Sequence, residues 1–155
     1  MSAGTAVLVT DRHGRLLVHK SRATAPPRGQ LHPWSVLWSP PRGAENGLQA
    51  AVRLVQEARL SSAALSDVMQ LFSVDCPAGA PVARLDVFGA YWDDSLERPE
   101  FPGAVEARFV TPNDATVLRF TEHLAPVVWR YRMGLRQWNT ARGLPPELGT
   151  SLPNG

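Results

Sequence analysis

Glu45, Arg53 and Glu57 fall within residues 34–60, WSVLWSPPRGAENGLQAAVRLVQEARL, and are groups that can handle a cation, a proton or an anion. Carboxylates spaced one turn apart on a helix can hold a divalent cation, and an arginine can clamp a carboxylate or a phosphate. Glu57 follows Arg53 by four residues, so on a helix the two side chains meet, which suits a surface ion pair as well as an acid/base group. His32, in the loop just ahead, has the side chain suited to proton transfer near neutral pH. Asp86 completes the acid/base candidates, Glu57, His32, Glu45 and Asp86. Trp34, Trp38, Phe88 and Trp92 can fill a core or wall a pocket whose ring faces attract a cation. With Ser39 and Arg53 they form the expected substrate-binding set, and no metal ligands are assigned. Cys76, beside Pro77, has no activating neighbour in the sequence.

The elements that must position these groups can be read from periodicity. Residues 5–10, TAVLVT, and 16–19, LLVH, are apolar runs around the turn sequence DRHGR, which predicts a β-hairpin. Residues 21–33 hold Pro26, Pro27, Gly29 and Pro33 and must form a loop. A short strand is expected over 34–38 and a second loop over 39–47. Leu48, Ala51, Leu54, Val55 and Ala58 recur at helical spacing as a core-facing stripe. Strands follow over 66–74, 82–92 and 104–111, with TPND as a turn. A last helix starts near Thr121 as N-cap, with Val128, Tyr131, Leu135 and Trp138 inward and Arg130, Arg132 and Arg136 outward. This order implies an α/β fold, a mixed β-sheet between helices, in one domain over residues 1–142 with a disordered tail over 143–155.

Composition narrows the class. A chain of 155 residues, 44% hydrophobic, is one ordinary domain able to bury a core. Sixteen Lys and Arg against fourteen Asp and Glu leave a net charge of +2, scattered rather than clustered, so no nucleic-acid partner is expected. Lys20 is the only lysine; so arginine-rich a chain could suit bidentate phosphate recognition, or reflect a high-GC genome. The single cysteine excludes an internal disulfide, and no apolar run reaches bilayer length. A cytoplasmic protein with no membrane partner is expected, its oligomeric state open.

The order of elements and the wording of residues 34–60 resemble the Nudix superfamily, whose signature runs G, five residues, E, seven residues, R-E-U-x-E-E-x-G-U, with U aliphatic. The likeness spans about Thr5 to Trp138 and implies an α/β/α sandwich. LLVHKSRAT, HPWS, DVFGAYWDD, AVEARFVTP and FTEHLAPVVWRYRMGLRQ resemble the isopentenyl diphosphate isomerase branch. In that superfamily, glutamates on the signature helix hold divalent metal against a diphosphate. Here RLVQEARL occupies the helix with Arg53 and Glu57 in place, while Leu54 stands for one glutamate, Ala58 or a one-residue deletion replaces another, and Arg59 falls where the glycine belongs. The loop between Gly43 and Arg53 reads as shorter than the signature, so that Glu45 and Gly47 align only with gaps. Ser39 and Pro41 take the places of the isomerase cysteine and histidine, and Pro81 and Ala83 those of its paired acids.

The resemblance therefore implies a divergent enzyme acting on a small, apolar or isoprenoid-derived substrate by acid/base chemistry with little or no metal. Two alternatives stand beside it. One is a metal-dependent hydrolase of a nucleoside diphosphate derivative, with magnesium on Glu45, Glu57 and Glu106; the other is an inactive Nudix-fold binding module.

Overall fold

The computed structural model describes residues 3–11, 13–21, 33–58, 65–92 and 104–141. The loop containing His32, the acidic segment after Trp92 and the expected tail over 143–155 lie outside the described residues. Six strands, β1 (Gly4–Thr10), β2 (Leu16–Ser21), β3 (Leu37–Ser39), β4 (Leu65–Asp75), β5 (Arg84–Trp92) and β6 (Ala104–Val110), form one mixed sheet. Among the described residues, helices α1 (Gly47–Glu57), α2 (Pro112–Val117) and α3 (Ala125–Ala141) accompany the sheet, with a 3-10 turn over Glu122–Leu124.

The strand order is β4-β5-β1-β2-β6, and β1 runs parallel to β5. A strand covered on both faces reads as an unbroken apolar run, and every residue of β1 is buried. Successive side chains alternate between faces: Ala6 and Leu8 join the core beneath Val127, Val128 and Tyr131 of α3. Val7 and Val9 join the opposite core, with Ala51, Leu54 and Val55 of α1. The result is an α/β/α sandwich.

Next to the hairpin turn the sheet opens. Asp11 ties the turn, accepting from the His13 and Arg15 amides at 2.9 Å each and pairing with Arg15 Nε at 2.7 Å. Tyr131 of α3 donates its buried hydroxyl to the Gly14 carbonyl at 3.2 Å. In register, β1 and β2 share only Thr10↔Leu16 before they diverge. The segment leading into β3 fills the gap: Ser35 bridges to His19 of β2, and Leu37, Trp38 and Ser39 pair with Val7, Ala6 and Thr5 of β1. Trp34 extends the link to the far side, its amide donating to Arg119 O at 2.8 Å and its carbonyl accepting from the Thr121 amide at 2.9 Å. This wedge sets the 3-10 turn and the C-terminal end of α1 on either side of one hollow.

Several local expectations change. The strand expected over 34–38 is shorter and later, because Trp34 and Ser35 contribute bridges to other partners. Leu48 is 50% exposed instead of core-facing, since α1 begins only at Gly47, after the Asn46–Gln49 capping box, and the buried stripe starts at Ala50. TPND opens α2 instead of a simple turn, with the Thr111 hydroxyl capping the Asp114 amide and proline at the first position. Thr121 makes no side-chain cap; it precedes the 3-10 turn from which α3 continues.

Candidate functional site

Arg53 organises the loop before α1. Its Nε donates to Glu45 Oε2 at 2.9 Å, and its Nη2 donates to Glu45 Oε1 at 3.0 Å and to Ser39 Oγ at 2.9 Å. Its Nη1 reaches Glu57 at 3.3 Å, and Glu57 also accepts from Arg42 at 3.2 Å. The planar guanidinium therefore holds a strand end, a loop carboxylate and a helix carboxylate at once. Hydrogen bonding to Arg53 keeps the Glu45 carboxyl below the usual range, and the same bond raises Arg53.

The fit to the signature becomes plain in this geometry. Counting back from Arg53 over seven residues lands on Glu45, and the contact joins those two side chains, so the loop needs no gap. Its apparent shortness is corrected: Ser39 stands where the signature begins with glycine, and Leu60, not Arg59, stands at its second glycine.

One turn further along α1 lies a cavity of about 770 Å³. Leu54, Glu57 and Ala58 form one wall, His19 and Trp38 another, and His123 of the 3-10 turn a third, with residues 77–81 at the side. Leu54 is 7% and Ala58 5% exposed, so the two positions that the signature gives to metal-binding glutamates present hydrocarbon. Desolvation lowers His19 to about 4, and burial lowers His123 against an opposing pull from Glu122. Both imidazoles are therefore neutral at pH 7. The His123 ring meets Trp38 in a T-shaped contact with centroids 4.3 Å apart.

Of the residues singled out in the sequence, Glu57 and Trp38 line this cavity. Glu45, Arg53 and Ser39 are joined to one another in the loop network beside it. Trp92 is 0% exposed inside the α1-side core, where β5 alternation places it with Phe88 and Ala90. Phe88 and Asp86 instead border a shallow groove at the start of α1, and Asp86 accepts from Ser73 at 2.7 Å. Trp34 is buried on the α3 side with Lys20 and Arg108 over its ring at 4.7 and 4.8 Å, so its cations are the chain's own. The pocket wall imagined from four aromatic residues is thus corrected to Trp38 alone among them, because sheet pleat and the wedge send the other three elsewhere. His19 and His123 were not singled out; the one signal was a titratable side chain closing an otherwise apolar strand, LLVH.

A magnesium ion of the kind the signature helix carries would need several oxygen ligands. Among the described residues no group of three His, Cys, Asp or Glu side chains converges. Glu57 faces two guanidinium groups and Glu45 is engaged by Arg53, so the donors among the described residues do not fit such a cage.

Searches of family models and of curated proteins find no match. Solved structures do match. A mutT/nudix family protein from Listeria innocua superposes with a TM-score of 0.67 at 15% identity, over 90% of this chain and 96% of that one. The Nudix hydrolase RenU from M. smegmatis gives 0.59 at 19% identity, over 92% and 88%. NrtR from Shewanella oneidensis, solved with a 27mer DNA, gives 0.63 at 12% identity, over 87% of this chain and 62% of NrtR. The chain has the Nudix fold. Among the described residues no helix is long and apolar enough to cross a membrane.

Proposed function

We propose that this chain is a divergent Nudix-fold enzyme that takes a small, largely apolar molecule into the cavity and acts on it by acid/base chemistry without a caged divalent cation. The observation that carries this reading is the pair Leu54 and Ala58, hydrocarbon at the two positions where the signature has metal-binding glutamates. The cavity combines apolar residues such as Leu37, Leu54 and Ala58 with the convergent polar groups His19, Glu57 and His123, the mixture usual for a small-molecule site. Neutral His19 and His123 supply proton acceptors there, and Glu57, steadied by Arg42 and Arg53, supplies a carboxylate at the wall. The likeness to the isopentenyl diphosphate isomerase branch supports isomerase-like proton transfer on such a substrate. The same reading takes residues 1–142 as one domain working in the cytoplasm on a small-molecule partner, with neither nucleic acid nor membrane.

A second reading, a magnesium-dependent hydrolase of a nucleoside diphosphate derivative, is favoured by neighbours such as RenU that are themselves called Nudix hydrolases. It would draw on Glu45, Glu57 and Glu106, of which Glu106 is paired with Lys20 at 3.9 Å. Calorimetry with magnesium separates the two: the first reading expects no saturable heat, and a carboxylate cage expects a clear one. A screen of prenyl diphosphates, prenyl alcohols and nucleotide sugars, each with and without magnesium, should then return turnover that chelation leaves unchanged. Turnover that requires magnesium would return the hydrolase to first place, and binding without any turnover would make the chain a binding module.

A further inference from the structure

We infer that His123 is the anchoring residue of the cavity, offering its Nε2 to a hydroxyl or ammonium head on an apolar guest and selecting against anionic heads. This rests on the small-molecule reading above and names the ligand class that reading leaves open. His123 is 4% exposed, and its Nε2 is buried with no hydrogen-bond partner among the described residues. Buried polar atoms are nearly always satisfied, so an unpartnered one in a cavity wall is a place for a group the guest brings. A neutral imidazole nitrogen can accept from a hydroxyl or an ammonium, and the other tautomer can donate to a hydroxyl oxygen.

The rest of the wall decides the charge. Among its described residues the cavity lining has no lysine or arginine; of its two carboxylates Glu57 is compensated by Arg42 and Arg53, and Glu122 lies next to His123 in the chain. An anionic head would find no cation in the described lining to pair with and would meet the Glu122 carboxylate next to His123, the arrangement by which a site rejects the wrong ligand. Leu37, Leu54, Ala58 and Pro81 leave the body of the guest an apolar surface. The edge-to-face contact with Trp38 holds the imidazole in place and makes that indole a reporter of occupancy.

The test uses three probes sharing one apolar body: 4-phenylbutanol, 4-phenylbutylamine and 4-phenylbutyl phosphate, titrated by calorimetry without magnesium. The alcohol and the amine should bind the full chain, and the phosphate at least about tenfold more weakly. His123→Phe should weaken the alcohol and the amine by about tenfold, and His123→Gln, which keeps a polar tip, should recover part of the loss. In case the phenylalanine variant does not fold, the imidazole ¹⁵N resonance of His123 in the unaltered protein should move on addition of the alcohol. Equal binding by unaltered protein and a folded His123→Phe variant would overturn the assignment, as would a ¹⁵N resonance that stays put at saturation. A phosphate that binds tightest, or no binding by any probe up to about 5 mM, would overturn it too. None of these outcomes depends on magnesium, so a failure of the metal-free reading, seen as saturable magnesium heat, remains distinguishable.

Discussion

The loop network around Arg53 and the cavity one turn further along α1 are built from the same stretch of chain, yet they relate to the Nudix signature in opposite ways. In the network, Glu45 and Arg53 stand at their signature positions and still meet at 2.9 Å. In the cavity wall, Leu54 and Ala58 have taken signature carboxylate positions and are buried. The contrast separates two jobs that the signature performs together. The Glu45–Arg53 contact shapes a loop, and Arg53 ties it to Ser39 at the end of β3. The helix positions facing the cavity can therefore exchange charge for hydrocarbon while the fold stays.

The largest effect expected from breaking this comparison lies in the core beneath both regions. Trp92→Ala should cost about 3–5 kcal/mol in urea unfolding, because a fully buried indole leaves a cavity behind. Trp38→Ala, in the cavity wall, should cost much less and should act on guest binding instead. If the two losses are equal, the division between core and cavity tryptophan is wrong.

Acid sharpens the cavity side. His19 has a folded pKa of about 4 against an ordinary value of 6.5, so between these limits the unfolded chain binds the extra proton. The stability this group contributes is therefore present above pH 6.5 and falls as the pH drops, by about 3 kcal/mol by pH 4, with His123 adding in the same direction. Denaturant midpoints measured across this range should decline accordingly, and His19→Gln should flatten the curve.

Placing carboxylates at Leu54 and Ala58 is the next test. Leu54→Glu with Ala58→Glu should lower the melting temperature without divalent ions, since two carboxylates enter buried positions, and magnesium or manganese should raise it again. A double variant indifferent to both ions would show that these positions do not face a site where glutamates could converge on a cation.

The smallest effects belong to the network. Arg53→Ala should lower the melting temperature by a few degrees, because it releases Glu45, Ser39 and Glu57 together. Glu57→Gln removes one charge from a half-exposed side chain and should leave the melting curve nearly unchanged while abolishing any turnover in which the carboxylate takes part. Unaltered turnover would remove Glu57 from the chemistry.

Much of the scaffold was legible because local patterns and tertiary burial agree. The apolar run of β1, the helical stripe from Ala51 through Ala58 and the extended runs that became β4, β5 and β6 all appear where period and composition put them. The Glu45–Arg53 spacing of the signature is present in the sequence too, but without the glycine that opens the signature, since Ser39 holds that position. Less could be read where a residue's neighbours come from other parts of the chain. Phe88 and Trp92 lie on one strand face, but only the placement of α1 against that face makes it core. Trp34 looked like a pocket wall until Lys20 and Arg108 were seen over its ring.

Read by itself, the chain determined its elements, their order and the presence of Leu54 and Ala58 where the resembled signature has glutamates, because these depend on residue type and short-range spacing. The tertiary structure alone decided that His19 and His123 share one hollow with Leu54, Glu57 and Trp38. The divergence of β2 from β1 admits the Trp34–Ser39 wedge, and the wedge sets the 3-10 turn opposite α1. Side chains far apart in sequence converge there through backbone pairing, which no periodicity along the chain records.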